Sequence, residues 1–193
     1  EEMPTAEMGG AHRLYFYKKR RSAYHSFFEV IPASLVRDRP DWFSYSEKAG
    51  KRVPRQLCVT NEEMTRAYIA ETLRLLREKP ETTFIQVSQN DDEGFCECPA
   101  CKRAYAGEGA VSGAYLRFVN RVAEAIAKEF PHVTVDTFAY MFTRKAPKKT
   151  RPAKNVVVRL CDIECGMNIP LADSPESYRQ NRAFLQDLED WSK

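Results

Sequence analysis

One stretch constrains the rest of this chain: Phe84-Ile-Gln-Val-Ser-Gln-Asn-Asp-Asp-Glu-Gly-Phe-Cys-Glu-Cys-Pro-Ala-Cys101. Phe84, Ile85 and Val87 form a short apolar, β-branched run after the breaker Pro80, which predicts a strand over 84–89. The run turns polar at Gln89, Asn90, Asp91, Asp92 and Glu93, and Gly94 permits a sharp turn. Three cysteines follow as Cys96-x-Cys98-x-x-Cys101. A buried strand that ends in amide and carboxyl groups is how α/β enzymes hold reactive groups over a rigid scaffold.

The flanking sequence alternates strand and helix signals. Residues 1–24 read as a linker or edge segment, with a short strand at Leu14–Tyr17 and a solvated basic run at Lys18–Arg21. His25–Ile31 predicts a strand that ends at Pro32, and residues 33–54 read as irregular, with Trp42, Phe43 and Tyr45 buried among themselves or lining a cleft. Gln56–Val59 predicts a strand, and Thr60-Asn-Glu-Glu63 a capping box opening a helix from Asn61 to about Glu78. Its apolar side carries Met64, Tyr68, Leu73, Leu75 and Leu76.

Glycines 107, 109 and 113 predict a flexible loop until Ser112 opens a second helix, which Pro131 ends. Val133–Tyr140 alternates like a strand, and Arg144–Lys154 is a basic, proline-punctuated loop. Asn155–Cys161 has the continuous apolar character of a strand buried on both faces. Ser174 and Pro175 signal a last helix striped by Tyr178, Leu185, Leu188 and Trp191. The alternation predicts an α/β fold with parallel strands, a partial or fragmentary (β/α)8 barrel or a small open sheet. Residues 25–193 form that domain, with the remainder of the barrel expected from the same polypeptide.

A formal charge of +3 spread over 193 residues gives no reason to expect nucleic acid. No run approaches the roughly 18 apolar residues of a membrane span, and no signal-peptide core opens the chain. Cys96, Cys98 and Cys101 are spaced to converge as thiolates on a tetrahedral Zn²⁺ of structural type. Cys58 is the best fourth ligand, with Cys161, Cys165 and His25 as alternatives. Disulfides or free buried thiols are the competing reading.

In parallel α/β architecture the carboxyl ends of the strands share one face. That collects Cys58, Thr60, Gln89, Asn90, Asp91, Tyr140, Arg144, Asp162 and Glu164. Acids from two strands, flanked by amides, an aromatic ring and a guanidinium, are the components of a glycoside hydrolase. Acids at strand ends also serve as helix caps and loop anchors.

Several motifs occur together and in order: His25-Ser-Phe-Phe, Gly50-Lys-Arg52, Gln56-Leu-Cys-Val-Thr-Asn61, Val87-Ser-Gln-Asn-Asp91, the three cysteines, Phe118-Val-Asn-x-Val-Ala123, Ala139-Tyr140 and Arg159-Leu-Cys-x-Ile-Glu-Cys165. Together they resemble the bacterial domain of unknown function 4838, common in polysaccharide-degrading Bacteroidetes. The resemblance covers roughly residues 25–193. It implies a TIM-barrel domain related to α-glucuronidases and β-hexosaminidases, within a larger secreted or periplasmic protein. Arg39-Pro-Asp-Trp42 departs from the family's His-Pro-Glu pattern, so no ligand role carries over to that segment.

The strand-end acids and the resemblance together lead to a carbohydrate-active hydrolase. Glu164 is its general acid and Asp91 the partner carboxylate. Asn90 holds a sugar hydroxyl, and Tyr140, His25 and Arg144 orient substrate. The alternative is a non-catalytic glycan-binding or scaffold module stabilised by zinc.

Overall fold

The computed structural model describes residues 24–173, 175 and 178–193. The expected strand at Leu14–Tyr17, the basic run at Lys18–Arg21 and the Ser174 cap lie outside these residues.

The architecture is α/β, centred on a parallel sheet in the order β3-β4-β5 (Phe84–Gln86, Thr134–Ala139, Val156–Leu160). Ile85 sits opposite Val135, and Phe138 opposite Arg159. Strand geometry sends alternate side chains to opposite faces. Ile85, Val87 and Val135 therefore join α4 (Ser112–Glu129) in the main core, through Leu116, Val119, Val122 and Ile126. Helix α2 (Glu62–Glu78) adds Met64, Tyr68, Leu75 and Leu76 to the same core, while Leu73 is only half-buried. No closed barrel forms among the described residues.

Several local expectations are corrected. His25–Ile31 is not a strand: it turns into a short helix, α1 (Phe27–Val30), after one strand-like contact of Phe27 N–H with the Ser88 carbonyl at 3.1 Å. Helical spacing then buries Phe27 and Val30 together, and Phe27 packs its ring on Phe118, 5.5 Å between centroids. Residues 43–54, expected to be irregular, are not. They form an antiparallel hairpin, β1 (Phe43–Ser46) with β2 (Lys51–Leu57), turned at Gly50 where φ is +64°. The Gln56–Val59 segment thus belongs to this hairpin and not to the parallel sheet. A bulge around Pro54, which has no N–H to give the ladder, shifts the register between Phe43 and Ser44.

The cap of α2 is Asn61, not Thr60: Asn61 Oδ1 accepts the Met64 N–H at 2.9 Å. The expected glycine-rich loop contains a helix, α3 (Pro99–Glu108), which ends at Gly109 in the left-handed region at φ +68°. Its last residue, Glu108, is buried and fastens the basic loop. Its carboxylate accepts from the Thr150 hydroxyl at 2.8 Å and from the Lys149 and Thr150 N–H groups at 3.1 Å, and pairs with Arg117. A Cβ at Gly113 would lie 2.2 Å from the Glu108 side chain, so only glycine fits there.

Strand β5 is not buried on both faces: it is the outer strand of the sheet, and Val157 is 47% exposed. Helix α5 (Arg179–Ser192) buries Asn181 and Phe184, while Leu188 of the expected stripe is exposed.

Candidate functional site

The hairpin and α3 bring four cysteines together. Cys58 follows the end of β2, Cys98 caps α3, Cys101 lies in its first turn, and Cys96 precedes both. All four are buried, and their sulfurs lie within 4.8 Å of one another. Cys58 Sγ is 3.8 Å from both Cys98 Sγ and Cys101 Sγ. Four sulfurs held tetrahedrally about 2.3 Å from one ion stand about 3.8 Å apart. The spacing, the burial and the all-sulfur donor set therefore fit a closed metal site.

Its surroundings favour a thiolate at Cys58, beside which the Cys96 and Cys101 thiols are pushed up. Tyr45 N–H donates to Cys96 Sγ at 3.3 Å, Arg52 Nη1 reaches the same sulfur at 3.5 Å, and Thr60 Oγ1 lies 3.1 Å from Cys101 Sγ. Hydrogen bonds from the Cys101 and Cys96 thiols, with Thr60 and Arg52 adding to them, outweigh burial and hold the Cys58 thiol far below its ordinary range. Four thiolates around a divalent cation carry net charge −2, which the Arg52 guanidinium and the amino end of α3 partly offset. The alternatives for the fourth ligand fall away. Cys161 lines a separate cleft, His25 does too, and Cys165 is not among the converging cysteines.

That cleft, of about 400 Å³, lies at the carboxyl ends of β4 and β5. His25, Asp91, Phe138, Tyr140, Arg159 and Asp162 are among its lining residues. Tyr140 Oη donates to Asp91 Oδ1 at 3.1 Å. Burial, the Asp91 hydrogen bond and the nearby charges of Asp91, Cys161 and Glu164 together push the Tyr140 phenol up. Of the two expected carboxylates, Asp91 contacts this tyrosine directly, and Glu164 acts on it only as a more distant charge. Glu164 itself does not line the cleft; it is exposed and pairs with Arg144, which also holds Asp187 at 2.6 Å.

His25 is held rigidly. Its φ of +59° is a strained value for a non-glycine residue, and such strain persists where the surroundings enforce it. His25 Nδ1 lies 2.9 Å from the Gln89 carbonyl, which can only accept, so Nδ1 carries the proton. Gln89 is anchored in turn by its Nε2 donating to Thr143 Oγ1 at 2.7 Å. Asn90 faces the hairpin: its Nδ2 donates to the Arg55 carbonyl at 2.9 Å.

Three residues that sequence reasoning passed over complete the site. Gln56, fully buried on β2, clasps the backbone on both sides of Asp91. Asp136 and Arg159 form an ion pair of 2.9 Å beneath Phe138. Burial pushes the Asp136 carboxyl up to about 6 against the pull of Arg159.

The family model for a domain of unknown function (DUF4838) matches residues 4–193. The chain belongs to this family. No curated protein and no solved structure matches it. Among the described residues, no helix of this DUF4838 domain is long and apolar enough to cross a membrane.

Proposed function

We propose that this domain is a glycoside hydrolase acting on polysaccharides or glycans that contain uronic acids or amino sugars. The observation that carries the proposal is Tyr140, hydrogen-bonded to Asp91 and within the electrostatic reach of Glu164, at the mouth of an aromatic-walled cleft. Glycosidic cleavage needs one carboxyl to protonate the leaving oxygen and a second to attack or to activate water. Glu164 is assigned the first role and Asp91 the second. His25 and Tyr140 orient the sugar, Arg144 holds the Glu164 carboxylate, and Asn90, donating to the Arg55 carbonyl, anchors the loop that carries Asp91.

The metal at Cys58, Cys96, Cys98 and Cys101 is zinc in a structural role. A four-sulfur tetrahedral set suits Zn²⁺ and leaves no open position for substrate. The fold is part of a TIM-type barrel. The outer edge of β5 and the exposed Val157 beside it are where further strands of the same polypeptide would pair. A periplasmic or secreted setting belongs to the same proposal, supported by the resemblance of the motifs to those of polysaccharide-degrading bacterial proteins.

One observation favours a second reading, a non-catalytic glycan-binding module: Glu164 is exposed and already paired with Arg144. Screening the protein against aryl glycosides and oligosaccharides decides between them. Release of reducing sugar supports the hydrolase; binding without release supports the module.

A further inference from the structure

Beneath the Asp91–Tyr140 level the cleft has a cationic floor that neither carboxylate role uses. Arg159 stands opposite Phe138 in the β4–β5 register, two residues before Tyr140 along β4, roughly 7 Å deeper by strand rise. Its guanidinium lies 5.7 Å from the Phe138 ring centre and 5.8 Å from that of Tyr24. Its one hydrogen bond among the described residues goes from Nη2 to Asp136 Oδ2 at 2.9 Å. Asp136 is 2% exposed, and its Oδ1 has no partner among the described residues. The arginine side chain remains 46% exposed and lines the cleft.

A guanidinium has five N–H donors in a planar fork. With one edge committed to a buried carboxylate and its face over aromatic rings, orientation is set and the remaining donors are left for a ligand. The planar acceptor that matches such a fork bidentately is a carboxylate. The Phe138 and Tyr140 rings that line the cleft offer the apolar wall against which a pyranose stacks. At the rim, Asp91 and Asp162 are acceptors for hydroxyl groups.

We propose that Arg159 is the residue that selects the substrate, by binding the carboxylate of a uronic acid whose ring lies along Phe138 and whose hydroxyls reach Asp91 and Tyr140. Asp136 is the positioning residue that holds Arg159 in place. This assignment rests on the glycan-binding reading of the cleft and narrows its ligand to acidic sugars.

The test is calorimetric titration of the protein with three matched trisaccharides: one with a terminal uronic acid, one neutral, and one neutral sugar bearing a sulfate ester. The uronate should bind at least about tenfold tighter than the neutral sugar, the scale of a charge-assisted hydrogen-bonded pair. In the double variant Arg159→Gln with Asp136→Asn, which leaves no lone buried carboxylate, that preference should fall to within about twofold. Neutral-sugar affinity should fall by less than uronate affinity does there. Arg159→Lys, which keeps charge but loses the fork, should fall between.

Equal binding of uronate and neutral sugar by the unaltered protein, or a preference that survives the double variant, would overturn the assignment. Tighter binding of the sulfate ester would overturn the carboxylate specificity. Binding of none of the three would overturn the glycan reading of the cleft, and this inference with it.

Discussion

Gln56 and Asn90 hold each other as residues of neighbouring strands do: Asn90 N–H donates to Gln56 Oε1 at 2.9 Å, and Gln56 Nε2 donates back to the Asn90 carbonyl at 2.8 Å. A side chain here replaces a missing strand. The same Nε2 donates to the Asp92 carbonyl at 2.8 Å, and Arg55 pairs with Asp92 at 2.7 Å. Asp91 is therefore gripped from both sides by the hairpin that also delivers Cys58 to the four-cysteine cluster. The Asp91 loop and the cysteine cluster rest on one strand.

Replacing Gln56 by leucine removes three hydrogen bonds and leaves part-buried backbone groups of Asn90 and Asp92 unpaired. We expect a loss of roughly 3 kcal/mol in unfolding free energy. Hydrogen exchange should rise first at residues 90–96, before the sheet and α4. Unchanged protection of that loop in a well-folded variant would show that Gln56 does not hold Asp91.

Asp136 gives a pH dependence with a definite sign. Its carboxyl is raised from 3.8 to about 6 in the folded protein, burial outweighing Arg159. A raised acid binds its proton more tightly folded than unfolded, so its contribution is present at low pH and is lost as pH rises from about 4 to 6. The full difference is on the order of 3 kcal/mol. Asp136→Asn should flatten that part of the stability curve, measured by urea unfolding at pH 4, 5 and 6. An unaltered slope would mean that the pair is better solvated than its burial implies.

If the two carboxylates catalyse hydrolysis, Glu164→Gln lowers turnover by ~10²-fold or more on a substrate with a poor leaving group. Asp91→Asn should also lower it with little change in melting temperature, since Asp91 holds no backbone of its own among its hydrogen bonds. Full activity of Glu164→Gln would remove the acid role from Glu164. A large fall in melting temperature for Asp91→Asn would make Asp91 a loop anchor.

Helices α2 and α4 and strand β4 were legible because their apolar residues recur at periods of 3.6 and 2, and β3 and β5 because each is a short apolar run bounded by polar or proline-containing sequence. Helix α3 was hidden by Pro99, Gly107 and Gly109, which read as loop punctuation but serve as its first turn, interior and C-terminal cap. The hairpin was hidden by Lys51-Arg52-Val53-Pro54: Pro54 reads as a breaker, and Arg52, which turns inward to Cys96, reads like its exposed neighbour Lys51 as a solvated charge. Cys96, Cys98 and Cys101 were legible from spacing alone, and Asp91 as a strand-end acid; Cys58 was chosen from an expected place in the parallel sheet but is delivered by the hairpin. Gln56 and the Asp136–Arg159 pair were not, since each acts across 23 or more residues of sequence and no local pattern marks a buried polar partner.

The most direct measurement is X-ray absorption at the zinc edge, with elemental analysis of the same purified protein. The account predicts one zinc per chain with four sulfur ligands at about 2.3 Å. Substitution of Cys58 by serine should then replace one sulfur by a lighter ligand or release the metal, freeing the loop that carries Asp91. Protein without metal, with Cys58, Cys96, Cys98 or Cys101 paired in disulfides, would contradict it.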